Sequence, residues 1–197
     1  YNGSERLAAG HRFEFFPAVS AGWVASSEKF WEPISKYINH FKIRGSYGLV
    51  GSDAFASGAP HFLYQNNIGI GSAHNFWTGL PTSEISKKGP GFYVLAVQDA
   101  GWEHVKKFDI GFDMMLFNQL NITFDYFHDK RERILMSRAS WPSMLGYWGS
   151  KPWSNIGEVE NQGFELSLNW TKQFGKDLTL DLRGNFTYNQ NEYKYVD

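Results

Sequence analysis

Strict alternation of apolar and polar residues runs through most of this chain. Phe108, Ile110, Phe112, Met114 and Leu116 point one way, and Lys107, Asp109, Gly111 and Asp113 point the other. A period of two is the signature of a strand with two unlike faces. After a tight corner at Asn118-Gln119 the pattern resumes, with Leu120, Ile122, Phe124 and Tyr126 against Asn121, Thr123 and Asp125, so the two runs predict a hairpin. A second hairpin sets Phe164, Leu166, Leu168 and Trp170 against Glu165, Ser167 and Asn169, and turns through Gly175-Lys176-Asp177. It returns with Leu178, Leu180, Leu182, Phe186 and Tyr188 opposite Thr179, Asp181, Arg183, Asn185 and Thr187. Upstream, Phe41, Ile43, Tyr47 and Leu49 alternate with Lys42, Arg44, Ser46 and Gly48, and Pro17, Val19, Ala21 and Trp23 alternate with Ala18, Ser20 and Gly22. The pattern predicts six strands, each of about the 9–11 residues that cross a bilayer at a tilt.

The links between these strands run short and long by turns. Asn118 and Gly175 mark small corners, whereas Ser137–Ser154 and above all Gly51–Gly101 are long. Outer-membrane barrels have this asymmetry, with short turns on one side of the membrane and long loops on the other. Ser27–His40 departs from it: Phe30, Ile34, Tyr37 and Ile38 at helical spacing predict a short amphipathic helix. With the long links outside, strands starting near Phe16, Trp102 and Ile156 descend, and those starting near Phe41, Leu120 and Leu178 ascend. Trp23 and Trp170 then fall near the periplasmic rim, and Tyr47, Tyr126 and Tyr188 near the outer one, as two aromatic girdles should.

Composition narrows the class. Phe, Trp and Tyr make up 18% of the chain, yet the longest apolar run, Phe92–Val97, is far short of a membrane-spanning helix. A chain like this can lie within a bilayer only as closed strands. A soluble antiparallel sandwich also alternates, but its polar face seldom carries so many charges on long strands joined by such long loops. The fold class expected is therefore all-β, an antiparallel transmembrane β-barrel. Phe108, Ile110, Phe112, Phe124, Phe164, Leu166, Leu168 and Leu180 are expected to face lipid, and Asp109, Asp113, Asp125, Glu165, Asp181 and Arg183 a wet lumen. The 19 basic and 20 acidic residues form no basic block, so nucleic acid is not an expected partner. With no cysteine, disulfides and thiolate metal sites are excluded. The chain opens at Tyr1 without a targeting segment and reads as a piece of a longer protein.

Several stretches resemble the SusC/RagA family of TonB-dependent transporters. Phe16–Trp23 resembles that family's FPAVSAGW strand, and Phe41–Gly48 its LKLRASYG. Trp102-Glu103 with Phe108–Asp113 resembles WE…DIGLD, Asp125–Phe127 its DYF, and Asn161–Glu165 its NxGFE. Order and spacing agree along nearly the whole segment, 1–197, with one departure at Val97–Gly101, where the family usually shows NPDLK before the Trp-Glu pair. The resemblance implies a barrel of about 22 strands with an N-terminal plug, of which this chain supplies about six strands. It also implies import of a large nutrient, a glycan or peptide, across the bacterial outer membrane, a SusD-like surface lipoprotein closing over the loops, and energy from the TonB complex acting on a plug outside this sequence. The alternatives are a siderophore receptor and a surface adhesin or structural barrel without transport.

No catalytic constellation, cofactor or metal site is expected. The histidines at 11, 40, 61, 74, 104 and 128 lack the spacing of a zinc site. Ser26 and Lys29 satisfy a bare S-x-x-K without companions, and Gly69-x-Gly71 lacks the third glycine of a dinucleotide loop. The acid pairs Asp109/Asp113 and Asp125/Asp129 lie on a uniformly polar face and read as solvated lining rather than as acid–base machinery. The loops carry the remaining signal: Trp77, Trp141, Trp148 and Trp153 are the expected substrate contacts, against the plainer alternative that long loops pack on their own aromatics.

Overall fold

Six strands join into one antiparallel sheet whose two faces have opposite character. In the computed structural model, which describes residues 1–55, 59–80, 83–142, 144 and 151–197, the strands are β1 (Asn2–Gly3), β2 (Phe13–Glu14), β3 (Ala18–Val24), β4 (Ile38–Ser52), β5 (Asn67–Leu80), β6 (Ser83–Val94), β7 (Glu103–Leu116), β8 (Leu120–Ser137), β9 (Trp153–Phe174) and β10 (Leu178–Tyr195). The main sheet has the order β10-β9-β8-β7-β4-β3, and β1-β2 and β5-β6 form separate two-stranded sheets. The six alternating runs of the sequence are thus the six strands of the main sheet. Successive strands of that sheet are neighbours, as in an up-and-down wall.

Cross-strand register decides which residues share a face, because directly opposed residues point the same way. Ile43, Phe112, Phe124, Leu166 and Phe186 form one continuous row, and Gly45, Ile110, Tyr126, Phe164 and Tyr188 the next. Rings pack along this face from strand to strand: Phe41 to Phe112 at 6.0 Å, Phe112 to Phe124 at 5.5 Å, Phe124 to Phe164 at 6.1 Å and Phe164 to Phe186 at 5.7 Å. Much of this apolar surface is uncovered; Ile110 is 45% exposed and Leu182 52%. A soluble sheet would bury it. The extent of the band fits a membrane: at about 3.4 Å per residue, Leu178 to Tyr188 covers ~34 Å of strand, or ~26 Å along an axis tilted by roughly 40°, against the ~25 Å apolar band of outer-membrane barrels. Among the described residues no helix is long and apolar enough to cross a membrane.

The buried core is small and lies at the end of the sheet where β4, β8 and β10 finish. Leu63, Ala100 and Leu135 form it, with Phe55, Ala59, Val97 and Trp153 packed around. Leu7 and Ala8 are buried near the same end, tied down by Ser4 Oγ, which donates to Asp53 Oδ2 at 2.7 Å, and by Arg6 Nη1, which donates to the Asp53 carbonyl at 3.0 Å.

Three expectations need correction. Ser27–His40 is not an amphipathic helix; it holds two 3-10 turns, Ala25–Ser27 and Lys29–Trp31, and β4 already begins at Ile38. Pro33 has no N–H to give Lys29, which interrupts the ladder, and Ser35 Oγ and Asn39 Nδ2 spend their hydrogen bonds on the carbonyls of Glu32 and Ser35. The corner after β7 is one residue longer than expected. Phe117 and Asn118 both take left-handed φ, and the Phe117 N–H donates to the Tyr37 carbonyl at 2.9 Å instead of to β8. Finally, the Gly51–Gly101 link is not only loop, since β5 and β6 pair within it as an antiparallel hairpin.

Candidate functional site, the polar face of the sheet

Alternation places Lys42, Arg44 and Ser46 of β4 on the face away from the apolar band, opposite Asp113, Gly111 and Asp109 of β7. Asp113 and Gly111 in turn oppose Thr123 and Asp125 of β8, and Asp125 opposes Glu165 of β9. Arg44 is the centre of this group. Its Nη2 donates to Asp125 at 2.7 Å and its Nε to Asp113 Oδ2 at 3.3 Å, while Nη1 lies 3.7 Å from Asp109 Oδ1. One guanidinium thus ties three strands together through its planar fork of donors. Gly111 makes the geometry possible: a Cβ there would collide with Asp125 Oδ1 and, at 2.6 Å, with the Phe124 carbonyl. Thr123 Oγ1 completes the group by donating to Asp113 Oδ1 at 3.2 Å. All these side chains are partly solvated, and the guanidinium holds the carboxylates of two neighbouring strands in place.

The remaining polar-face residues continue the lining. Asp181 opposes Thr171 and Arg183 opposes Asn169 across β9 and β10. Asp109, Asp113, Asp125, Glu165, Asp181 and Arg183 therefore share one face, and Phe108, Ile110, Phe112, Phe124, Phe164, Leu166, Leu168 and Leu180 share the other. Among the described residues no group of acids and histidines is arranged to hold a metal ion.

The loop aromatics do not form one cluster. Trp153 opens β9 and is half-buried against the Leu63–Leu135 core, so its ring is engaged in packing. Trp77 lies on β5, its backbone opposite Ser86. Trp141 is partly buried in the segment between β8 and β9, and Trp148 lies outside the described residues.

Two features escaped the alternation analysis. Phe127 stands on the polar face, between Asp109 of β7 and Gly163 of β9, and stacks on no other ring among the described residues. The sequence signal was present, since Phe127 breaks the polar phase of Asp125 and Asp129. The second is a clasp at the loop end. Asn155 Nδ2 donates to the carbonyls of Gly101 and Arg133 at 3.1 and 2.8 Å, and Asn155 Oδ1 accepts from the Gly101 N–H at 3.0 Å. It sits beside a bulge where Arg133 takes a left-handed φ of 58°.

Comparison with known proteins places this geometry. Residues 2–197 match the family described as TonB dependent receptor-like, beta-barrel. The chain is 29% identical over 192 residues to TonB-dependent receptor P3 of Formosa agariphila, covering 97% of this chain and 18% of the relative. It is 26% identical over 204 residues to TonB-dependent receptor SusC of Bacteroides thetaiotaomicron, covering 98% and 18%. Among solved structures it resembles a chain of the RagAB peptide importer in the closed-closed state, with a TM-score of 0.74 and 22% identity, over 97% of this chain and 19% of that one. The open-open state gives a TM-score of 0.76. The chain thus spans less than one-fifth of the length of these relatives.

Proposed function

Because the chain belongs to the TonB-dependent receptor-like β-barrel family, we propose that it is a stretch of membrane wall in an outer-membrane importer of a large nutrient, a glycan or a peptide. The family is one of transporters and receptors rather than enzymes. The observation that carries the reading is the division of the six-stranded sheet into an uncovered apolar, ring-studded face and a face lined with Arg44, Asp109, Asp113, Asp125 and Glu165. Lipid satisfies the first and a water-filled lumen the second. In this reading β3–β10 of the main sheet contribute wall and lumen lining, while the long links at the loop end face the cell exterior, where a SusD-like lipoprotein closes over them. TonB acts on a plug formed elsewhere in the protein. The likeness to SusC and to RagAB supports this assignment.

The test is uptake by cells. A strain deleted for the full-length gene is expected to lose import of an oligosaccharide or peptide nutrient, and the wild type to lose it when TonB is removed. Unchanged uptake of every such nutrient in both strains refutes import, and loss of ferric-siderophore uptake alone turns the reading to a siderophore receptor.

A further inference from the structure

The rings of the apolar face do not stop where β3 ends. Phe112 packs on Phe41 at 6.0 Å, Phe41 stacks on Trp31 at 5.3 Å with ring planes 7° apart, Trp31 meets Phe30 at 6.1 Å, and Phe30 meets Trp23 at 6.1 Å. Trp23 stands opposite Ile43, in the register row that continues through Phe112 on the face assigned to lipid. The β3–β4 connection therefore folds two of its own rings, Phe30 and Trp31, against the lower end of that face.

The connection is longer than closure requires. Joining neighbouring antiparallel strands takes about two to five residues, and the corners after β7 and β9, at 117–119 and 175–177, stay within that range, whereas this connection runs from 25 to 37. Its rings are also uncovered, with Phe30 61% exposed and Trp23 50%. A ring cluster left open to water is costly, and it is continuous here with a surface already matched by lipid.

The polar groups of the connection fit the same surroundings. An indole N–H carried into an apolar boundary needs a partner, and both have one: Trp31 Nε1 donates to the Ile38 carbonyl at 3.0 Å, and Trp23 Nε1 to Glu28 Oε1 at 3.3 Å. The shape is held from the neighbouring corner, where the Phe117 N–H donates to the Tyr37 carbonyl at 2.9 Å and the Asn118 N–H to Asn39 Oδ1 at 2.6 Å. The charges of the connection, Glu28, Lys29, Glu32 and Lys36, cancel.

We propose that the β3–β4 connection is a membrane foot, whose Trp23, Phe30 and Trp31 rings lie in the headgroup–acyl boundary of the leaflet opposite the long links and fix the depth of the wall there. This rests on the reading of the sheet as the wall of an importer, in which that leaflet is the periplasmic one. The partner is zwitterionic phospholipid. Interfacial segments sink their apolar side roughly 5–10 Å into this boundary and keep their charges among the hydrated headgroups. An anionic surface selects an excess of Lys and Arg, which the connection lacks, while a zwitterionic headgroup offers an ammonium to its acids and a phosphate to its lysines.

The experiment uses the full-length transporter in phosphatidylcholine vesicles, with a fluorescent probe on a single cysteine at position 30, 110 or 176. Bromines near the glycerol end of the acyl chains quench at the boundary, bromines near the chain ends quench at the midplane, and iodide quenches in water. Position 30 is expected to be quenched at least about twofold more by the shallow bromines than by the deep ones, and at least about twofold less by iodide than position 176. Position 110 should respond to the deep bromines. Because the probe replaces a packed ring, unmodified protein is labelled in parallel by a phosphatidylcholine carrying a photoactivatable diazirine near its glycerol. Label is expected within residues 25–37 and not at 175–177. Iodide quenching at position 30 equal to that at 176, or absence of lipid label from 25–37, overturns the foot while quenching at 110 keeps the wall. Protection of position 30 from lipid and iodide alike also overturns it, since protein then covers the rings. Loss of lipid quenching at 110 overturns the wall itself.

Discussion

Arg44 shows how a single side chain organises the wall. Its guanidinium faces Asp109, Asp113 and Asp125 on two further strands, so removing it leaves three neighbouring carboxylates uncompensated. The group is about one-third exposed, and solvent screens part of the repulsion, so Arg44→Met should cost about 1–3 kcal/mol. The double variant Arg44→Met/Asp125→Asn should recover part of that loss, and thermal unfolding of the four variants measures it. A double variant no more stable than the single one would show that the cluster contributes nothing as a unit. Ile110 and Asp109 give the complementary comparison across the sheet. Ile110→Lys sets an ammonium against the apolar band, at a cost of roughly 2–4 kcal/mol near the membrane midplane. Asp109→Asn only exchanges one polar group for another on the wetted face and should cost far less. Equal loss of folded barrel for the two, judged by heat-modifiable mobility in gels, would contradict the assignment of faces.

At the scale of elements, side-chain ties supplement the small core at the loop end, and two of them are open to test. Asn155 bridges the Gly101 and Arg133 backbones with three hydrogen bonds. Asn155→Ala leaves those backbone groups without their partner, and the expected loss is about 1–3 kcal/mol of local stability. Faster hydrogen exchange confined to residues near Gly101 and Ile134 would register it, and unchanged exchange there would show the clasp to be redundant. The second tie joins Asp197 to the start of the β8–β9 link. Asp197 accepts from Ser140 Oγ at 2.7 Å and from the Ser140 N–H at 3.2 Å, and pairs with Arg138 at 3.3 Å. The Ser140 hydroxyl and N–H, followed by Arg138, hold this carboxyl below its ordinary value. For a depressed carboxylate the stabilisation is present above the unfolded value, about 3.9, and is lost as pH falls through the lower folded value. Protection of the Ser140 amide, corrected for intrinsic exchange, should therefore be constant at neutral pH and drop in acid. Constant protection in acid would show that the tie does not depend on the charge.

For the whole molecule, the sheet as a membrane wall rests on one geometric claim: that alternate residues meet lipid and water. Its direct test is a probe attached in turn to cysteines at positions 109, 110, 112 and 113 of the full-length protein in bilayers. A lipid-borne quencher is expected to act at positions 110 and 112 alone, and an aqueous quencher at 109 and 113. Equal response of all four to the aqueous quencher would remove the membrane assignment and with it the importer. The same geometry explains the modest core among the described residues. In a wall of this kind the apolar surface is matched by lipid outside the protein instead of by a second layer of protein, so stability comes from the strand ladder and from packing at the rims.

The sequence by itself determined the six strands, their two faces and the short corner at Gly175–Asp177, because a period of two is local and each residue's side of the sheet follows from its neighbours. The motifs at Phe16–Trp23, Phe41–Gly48 and Asn161–Glu165 determined the family for the same reason, as local text in order. Only the tertiary structure decided what depends on partners far apart in the chain. The Ser27–His40 segment is the local exception: Pro33 and the side-chain bonds of Ser35 and Asn39, three and four residues back, override its helical spacing and make it a run of turns. Phe117 leaves its strand because Tyr37, from a distant connection, takes its N–H. Trp153, which the sequence offers as a loop contact, opens β9 opposite Ser137 and packs on the core around Leu135, while Phe127 sits opposite Gly163, whose missing side chain leaves its ring room. Alternation states which side a residue faces; only strand register, set by contacts remote in sequence, states what it meets there.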